Sequence, residues 1–194
     1  MRLFVAIDLD EQIRQKILRF MEGVSGFAPD VRWMKPQALH LTLKFIGEFP
    51  EHKLEGLKAA LANVRSEPFD FAFSRTGFFP SAKSARVFWI GVNADERLQK
   101  LASAVDDAVA KLGVEREARA YTPHLTLARA GSGKPSRDKD DKLNNRFHKL
   151  RERLEKMTQP EFGTMTAREF YLYQSKLSPK GSEYTKLERF AFSK

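Results

Sequence analysis

The tetrapeptide His-Leu-Thr-Leu occurs twice in this chain, first in "ALHLTLKFIG" at residues 38–47 and again in "TPHLTLARAG" at residues 122–131. The chain has 194 residues and four histidines, so half of its histidines belong to this repeat. Successive side chains of a β-strand point to opposite faces of the sheet. Each copy therefore predicts a strand whose leucines pack into a core, while its histidine and threonine share the other face.

The pattern around these two strands predicts an α+β fold. Alternating and apolar runs favour strands at residues 2–9, 39–47, 69–74, 87–92, 124–129, 168–177 and 183–192. Helical spacing favours helices at residues 10–23, 51–64 and 95–112. It also favours a fourth helix whose apolar face is formed by Leu143, Phe147, Leu150, Leu154 and Met157. Each half of the chain thus holds strands, helices and one copy of the tetrapeptide.

This internal similarity predicts a bilobal protein. We expect two pseudo-symmetric lobes, each with an antiparallel-rich sheet and outer helices, around a central cleft. The two lobes are expected to intertwine within a single domain over residues 1–194. No glycine-rich turn follows the first strand, which disfavours a dinucleotide-binding fold.

Composition narrows the classes of function. The chain is 42% hydrophobic with 16 phenylalanines, which indicates a globular protein, and it contains no cysteine, which excludes disulfides and a cysteine nucleophile. No run approaches the roughly 20 apolar residues of a membrane span, so we expect a cytoplasmic monomer without a membrane partner. The net charge of +9 favours a polyanionic partner such as nucleic acid, although many basic proteins use charge for solubility alone.

The paired strands point to acid–base chemistry. A pseudo-twofold axis would bring His40 and His124 together across the cleft, with Thr42 and Thr126 beside them. Imidazole has an ordinary pKa near 6.5, so at neutral pH one histidine can accept a proton while the other donates one. The threonine hydroxyls can hold the oxygens of a phosphate between them. Two structural histidines are the alternative interpretation, and the repetition of the pair favours catalysis.

Four segments of the chain carry a resemblance to a known family. They are "RLFVAIDL", "RWMKPQALHLTLKFIGE", "YTPHLTLAR" and "YLYQSKLSPKGSEYTKL". In this order they resemble the 2H phosphoesterase superfamily, named for two His-x-Thr-x motifs, and within it the LigT-like RNA 2′,3′-cyclic phosphodiesterases, historically called 2′-5′ RNA ligases. The resemblance implies hydrolysis of a terminal RNA 2′,3′-cyclic phosphate to a 2′-phosphate with no metal or cofactor, and a reversible 2′-5′ ligation. The partner implied is RNA with such an end, tRNA fragments included.

The resemblance also implies individual roles, which the residues alone leave open. His40 would be the proton donor to the departing 3′ oxygen, and His124 the proton acceptor that activates water. Thr42 and Thr126 would bind the phosphate. Arg129 would also bind it, although strict alternation along the strand puts Arg129 on the face opposite His124, so the strand would have to end or twist first.

Further positions have weaker support. Lys44 shares strand parity with His40, and we expect a solvated lysine there. Tyr173 and Ser175 are expected to be a packed aromatic and a hydroxyl beside the strand ladder. Candidate stacking residues for a terminal base are Trp33, Phe78 and Phe79. The charged segment at residues 134–156 offers a path for RNA, with a solvated loop and helix face slightly preferred.

Two other functions remain open from the sequence. One keeps the motifs but acts on 2′-5′ oligonucleotides or small cyclic nucleotides. The other is a non-catalytic RNA-binding module, which is disfavoured because arginine or lysine would hold RNA better than imidazoles that are half neutral at pH 7.

Overall fold

A computed structural model of the chain describes residues 1–131, 146–178 and 181–193, except the side chains of residues 177, 178 and 181. The strands of the described residues are β1 Arg2–Asp8, β2 Arg32–Trp33, β3 His40–Glu48, β4 Phe69–Phe79, β5 Val87–Ala94, β6 His124–Arg129, β7 Glu161–Ala167, β8 Glu169–Ser178 and β9 Gly181–Ala191. The α-helices are α1 Glu11–Ser25, α2 Leu54–Ala62, α3 Glu96–Ala110 and α4 His148–Glu155. Short 3₁₀ turns form at Pro36–Ala38 and Glu51–Lys53.

The strands form two antiparallel sheets. The first has the order β3-β1-β8-β9 and the second the order β2-β6-β5-β4-β7. Each sheet therefore contains one strand of the tetrapeptide repeat, β3 or β6. Both predicted tetrapeptide strands and the predicted α+β class with antiparallel sheets are confirmed.

The two halves of the chain exchange strands between the sheets. Strands β8 and β9, from the C-terminal half, complete the first sheet beside β1. Strand β4, from the N-terminal half, lies in the second sheet between β5 and β7. When the two-residue strand β2 is set aside, the sheets have matching orders, β3-β1-β8-β9 and β6-β5-β4-β7. This exchange ties the two sheets together through the chain itself.

The core lies behind the two motif strands, as the alternation predicts. The leucines of both copies, Leu41, Leu43, Leu125 and Leu127, are buried in one apolar cluster. Helix α1 contributes residues at helical spacing to the same cluster: Ile13, Ile17, Met21 and Val24. Burial of such side chains stabilises the fold by about 1.5–3 kcal/mol each. The histidines and threonines are thereby left on the opposite face of each strand.

Several boundaries differ from the sequence-based expectations. Strand β4 continues to Phe79, beyond the strand predicted at residues 69–74. The continuation is stabilised by Trp89, which lies over Gly77 so closely that a Cβ there would be 2.2 Å from the indole. Strand β7 was missed because "EFGTMTA" combines a glycine at positive φ with small polar residues.

Some predictions fall on residues that the structure does not describe. Leu143, residues 134–145 of the charged segment and part of the turn between β8 and β9 lie outside the described residues. Phe147 and Leu150, from the same predicted stripe, are buried. Among the helices of the described ranges, none is long and apolar enough to cross a membrane.

Candidate active site

Both motif strands line one cleft of about 830 Å³. All five residues singled out from the sequence lie in its wall: His40, Thr42, His124, Thr126 and Arg129. The remaining histidines, His52 and His148, are exposed. The fold therefore gathers two imidazoles and two hydroxyls, from distant parts of the chain, at one opening.

A β-bulge in β6 brings Arg129 to the cleft. Thr126 pairs with Trp89 and Ala128 with Phe88, so Leu127 is skipped in the ladder. Leu127 and Ala128 are both fully buried, and the alternation is shifted by one residue. Arg129 therefore shares the cleft face with His124, which strict alternation did not allow.

The same irregularity occurs in β3, and it corrects the prediction for Lys44. Thr42 pairs with Ala6 and Lys44 with Val5, so Leu43 is skipped. Lys44 is buried, with 6% of its surface exposed, and its ammonium is 2.5 Å from the carboxylate of Asp106 on α3. The expected solvated lysine is wrong because the bulge turns this residue inward, where α3 supplies a counter-charge.

The position after the bulge in β3 is Phe45, which sequence reasoning missed. Phe45 corresponds to Arg129 in the second copy, lines the cleft and is 57% exposed. Its ring centroid is 5.9 Å from that of Phe4. Aligning the hexapeptides "HLTLKF" and "HLTLAR" matches Phe45 with Arg129. This alignment indicates that Phe45 faces the cleft only once the shift of the alternation is known.

The ring of His40 is enclosed by aromatic side chains. It stacks on Phe4 at a centroid distance of 4.7 Å and meets Tyr184 edge-on at 5.3 Å. Its Nδ1 atom is fully buried and has no hydrogen-bond partner among the described residues. Burial lowers the pKa of His40 to about 4, although the negative charge of Asp8 acts to raise this pKa.

His124, in contrast, has a hydrogen-bond partner at Nδ1. Its Nδ1 is 2.8 Å from the carbonyl oxygen of Thr122, which can only accept a hydrogen bond. Nδ1 therefore carries the proton, and Nε2 is left with a free lone pair. Burial lowers the pKa of His124, while the hydrogen bond to Thr122 opposes that shift. The ring of Phe79 packs edge-on against it, at 4.9 Å between centroids.

The three stacking candidates are placed differently from one another. Phe79 lines the cleft. Trp33 donates its indole N–H to the carbonyl of Ala28 and packs edge-on against Phe88. Phe78 packs against Phe88 and Phe147 on the core side of the sheet. Of the three, Phe79 is the one that the structure places in the cleft wall.

Other charged groups complete the cleft. Arg86 and Arg119 line it together with Arg129, while Asp106 and Glu117 line the wall formed by α3 and the segment after it. Tyr173, expected to be a packed aromatic, is buried against Phe4. Within the described ranges, no group of three or more histidine, aspartate or glutamate side chains is arranged to hold a metal ion.

Two antiparallel sheets with paired His-x-Thr strands facing one cleft define a two-histidine phosphoesterase. The sequence model described as LigT like Phosphoesterase matches residues 7–89 and again residues 90–184. The chain belongs to this family. Each of the two matches contains one copy of the tetrapeptide, in agreement with the similarity of the two halves.

Individual relatives agree with this assignment over nearly their full length. The RNA 2′,3′-cyclic phosphodiesterase of Archaeoglobus fulgidus is 38% identical over 193 residues, which cover 98% of this chain and 99% of the relative. That of Methanothermobacter thermautotrophicus is 34% identical, with 97% of each chain covered. The crystal structure of Escherichia coli LigT complexed with 3′-AMP is 27% identical, has a TM-score of 0.77 and covers 100% of this chain and 98% of its own.

Proposed function

We propose that this chain hydrolyses the terminal 2′,3′-cyclic phosphate of RNA to a 2′-phosphate by acid–base catalysis between two histidines. The observation that carries the proposal is the convergence of two imidazoles, two threonine hydroxyls and one guanidinium on the wall of one cleft. In neutral His124 the hydrogen bond to Thr122 leaves Nε2 able to accept a proton, whereas protonated His40 can donate one. The names of the relatives support the substrate class.

The reaction then proceeds by in-line displacement at phosphorus. Nε2 of His124 accepts a proton from water while the water oxygen forms a bond to phosphorus. The bond from phosphorus to the 3′ oxygen breaks, and protonated His40 donates a proton to that oxygen. The products are a 2′-phosphomonoester and a 3′-hydroxyl. His124 returns its proton to solvent and His40 takes one up, which restores the enzyme.

Thr42, Thr126 and Arg129 stabilise the charge that builds on the phosphate. The two hydroxyls donate hydrogen bonds to non-bridging oxygens, and the guanidinium adds a fixed positive charge. The anionic substrate also raises the pKa of His40 above its value in the free enzyme, because an opposite charge favours the imidazolium. Substrate binding thus helps to supply the proton that the leaving oxygen needs.

The size, aromatic walls and charge of the cleft favour RNA over a small cyclic nucleotide as the substrate. The volume of about 830 Å³ exceeds what a phosphate group fills, and aromatic walls at Phe45 and Phe79 can contact bases. The net charge of +9 favours a polyanion. We take the enzyme to be a cytoplasmic monomer whose substrates include tRNA fragments. If a 5′-hydroxyl replaces water, the same steps produce a 2′-5′ linkage, but water is in excess.

A panel of substrates tests the assignment. We expect kcat/KM to be highest for RNA with a cyclic phosphate end, lower for mononucleotide 2′,3′-cyclic phosphates and lowest for 2′-5′ oligoadenylate, with the same values in EDTA. Higher kcat/KM for the mononucleotides or the oligoadenylate would favour the small-substrate alternative. Binding of RNA that weakens with salt, without product from any substrate, would favour a binding module.

The pH dependence of kcat/KM is expected to have its optimum below pH 6.5. The active form requires protonated His40 and neutral His124, and kcat/KM reports the free enzyme. Burial lowers the pKa of His40 to about 4 and that of His124 below 6.5, so this form is most abundant between the two values. The optimum of kcat should lie at higher pH, since bound phosphate raises the pKa of His40. A kcat/KM optimum above pH 7.5 would contradict this account.

Replacing Phe45 with alanine is expected to raise KM at least fivefold and to change kcat little. An aromatic platform contributes about 1–3 kcal/mol per stacked base, and a phenyl ring has no group that can transfer a proton. Phe45→Trp should retain the low KM. Phe27→Ala, at the other exposed large hydrophobic residue of the described chain, is the matched control. Equal KM values for Phe45→Ala and the wild-type enzyme would exclude Phe45 from substrate binding.

A further inference from the structure

We propose that Lys44 and Tyr121 form an inter-sheet latch that fixes the spacing between the two His-x-Thr strands. Both line the cleft, but their polar atoms are engaged by backbone and by Asp106, so they would be positioning residues that act through the motifs. This inference rests on the proposed function for its consequence in catalysis, while its geometric part can be tested without substrate. The latch consists of two contacts between β3 and the segment that leads from α3 into β6.

The first contact is made by the buried ammonium of Lys44. Its Nζ donates to the carbonyl oxygen of Glu115 at 2.7 Å and is 2.5 Å from Oδ1 of Asp106. The same carboxylate, Oδ1 of Asp106, lies 3.3 Å from the backbone N–H of Glu117, which donates to it. One lysine on β3 therefore holds both the end of α3 and the backbone that follows it.

The second contact is made from the other direction. The hydroxyl of Tyr121 donates to the backbone carbonyl of Thr42 at 2.9 Å. Thr42 is the threonine of the first motif. Tyr121 is followed at once by Thr122, whose carbonyl holds Nδ1 of His124. A single hydrogen bond thus connects the first phosphate-binding residue with the turn that orients the second histidine.

Among the described residues no backbone ladder joins the two motif strands, so their spacing is set by packing and side-chain contacts, the latch among them. Strand β3 pairs with β1 in the first sheet, and β6 pairs with β2 and β5 in the second. Acid–base catalysis at one phosphorus requires the two imidazoles at a fixed separation, and a misplacement of about 1 Å can reduce a rate about 100-fold. The latch crosses from one sheet to the other beside the residues whose spacing matters.

Four variants separate positioning from simple stabilisation. Lys44→Met removes the first contact, and Tyr121→Phe removes the second with almost no change in shape. In Lys44→Met/Asp106→Leu both charges of the pair are absent, so the half-buried carboxylate is not left without its lysine, yet the Glu115 carbonyl is still not held. Ile17→Ala, in the core on α1, is a destabilised control that leaves the latch intact.

Two measurements on the folded variants decide the question. The first is kcat and KM for RNA with a cyclic phosphate end. The second is the distance distribution between spin labels at Glu48→Cys on β3 and Asn93→Cys on β5, which a chain without cysteine permits. Lys44→Met and the double variant should lose at least tenfold in kcat with KM changed less than threefold, and their distributions should broaden. Tyr121→Phe should show a smaller loss, and Ile17→Ala none.

The opposite pattern would overturn the latch. If the double variant has wild-type kcat and an unchanged distance distribution, the ion pair serves stability alone. If the wild-type enzyme does not turn over the RNA, the proposed function fails. In that case the distance distribution still decides the latch, because broadening supports it and an unchanged distribution refutes it.

Discussion

Replacing His124 with glutamine is expected to lower kcat by about 10²- to 10⁴-fold, the range that a positioned general base contributes. Glutamine keeps a polar side chain of similar reach but cannot take a proton from water. KM should change little, because in the proposed mechanism Thr42, Thr126 and Arg129 hold the phosphate. The variant should remain folded, since His124 lies on the cleft face and not in the leucine core.

The matched control for this experiment is His52→Gln. His52 is exposed and lies outside the cleft, so its replacement should leave kcat and KM unchanged. Circular dichroism and the melting temperature of both variants would show whether the fold is retained. Turnover by folded His124→Gln within threefold of the wild-type rate would remove the general base from the mechanism.

Replacing His40 with glutamine is expected to give an equally large loss on RNA with a cyclic phosphate end, but a much smaller loss on a p-nitrophenyl phosphodiester. The 3′ oxygen of ribose is a poor leaving group that needs a proton, whereas p-nitrophenolate departs without one. His124→Gln should lose activity on both substrates, because water still has to be activated. Comparing kcat for the two variants and the two substrates assigns the donor and the acceptor.

Two other outcomes of this comparison would change the assigned roles. If His124→Gln is the variant whose loss is smaller with the p-nitrophenyl substrate, the donor and acceptor roles are exchanged. If His40→Gln loses as much on the activated substrate as on RNA, His40 does not act by protonating the leaving group. The stacking of His40 on Phe4 makes the fold of this variant the first thing to check, again by its melting temperature.

The sequence predicted the motif strands well because their pattern follows from one local rule. Alternation separates leucine from histidine and threonine, and burial of the leucines decides which face meets the core. The similarity of the halves then predicted one shared cleft. These inferences needed no knowledge of which strand pairs with which.

The features that were missed depend on pairing between distant segments. The skipped residue in each motif strand, Leu43 or Leu127, is defined by the neighbouring strand and leaves no local signal. That single shift places Arg129 and Phe45 in the cleft and turns Lys44 toward α3. The exchange of β4 and β8 between the sheets is equally non-local.

The two copies of the tetrapeptide have the same sequence, but their histidines have different hydrogen-bond partners. The difference lies in the residues before them. Thr122 presents its carbonyl to His124, whereas the residue two before His40 is Ala38, which ends a 3₁₀ turn, and Nδ1 of His40 has no partner among the described residues. Repetition of a motif therefore predicts a shared site, but the different hydrogen bonding of its two histidines comes from the flanking backbone.

The most direct test of the central claim is the position of the phosphate after reaction in water labelled with oxygen-18. Phosphorus NMR of an RNA with a cyclic phosphate end should show conversion to a 2′-phosphomonoester that carries one labelled oxygen, with a free 3′-hydroxyl. That product requires water to attack phosphorus and the bond from phosphorus to the 3′ oxygen, not the 2′ oxygen, to break. A 3′-phosphate product, or an unchanged cyclic phosphate, would contradict the account.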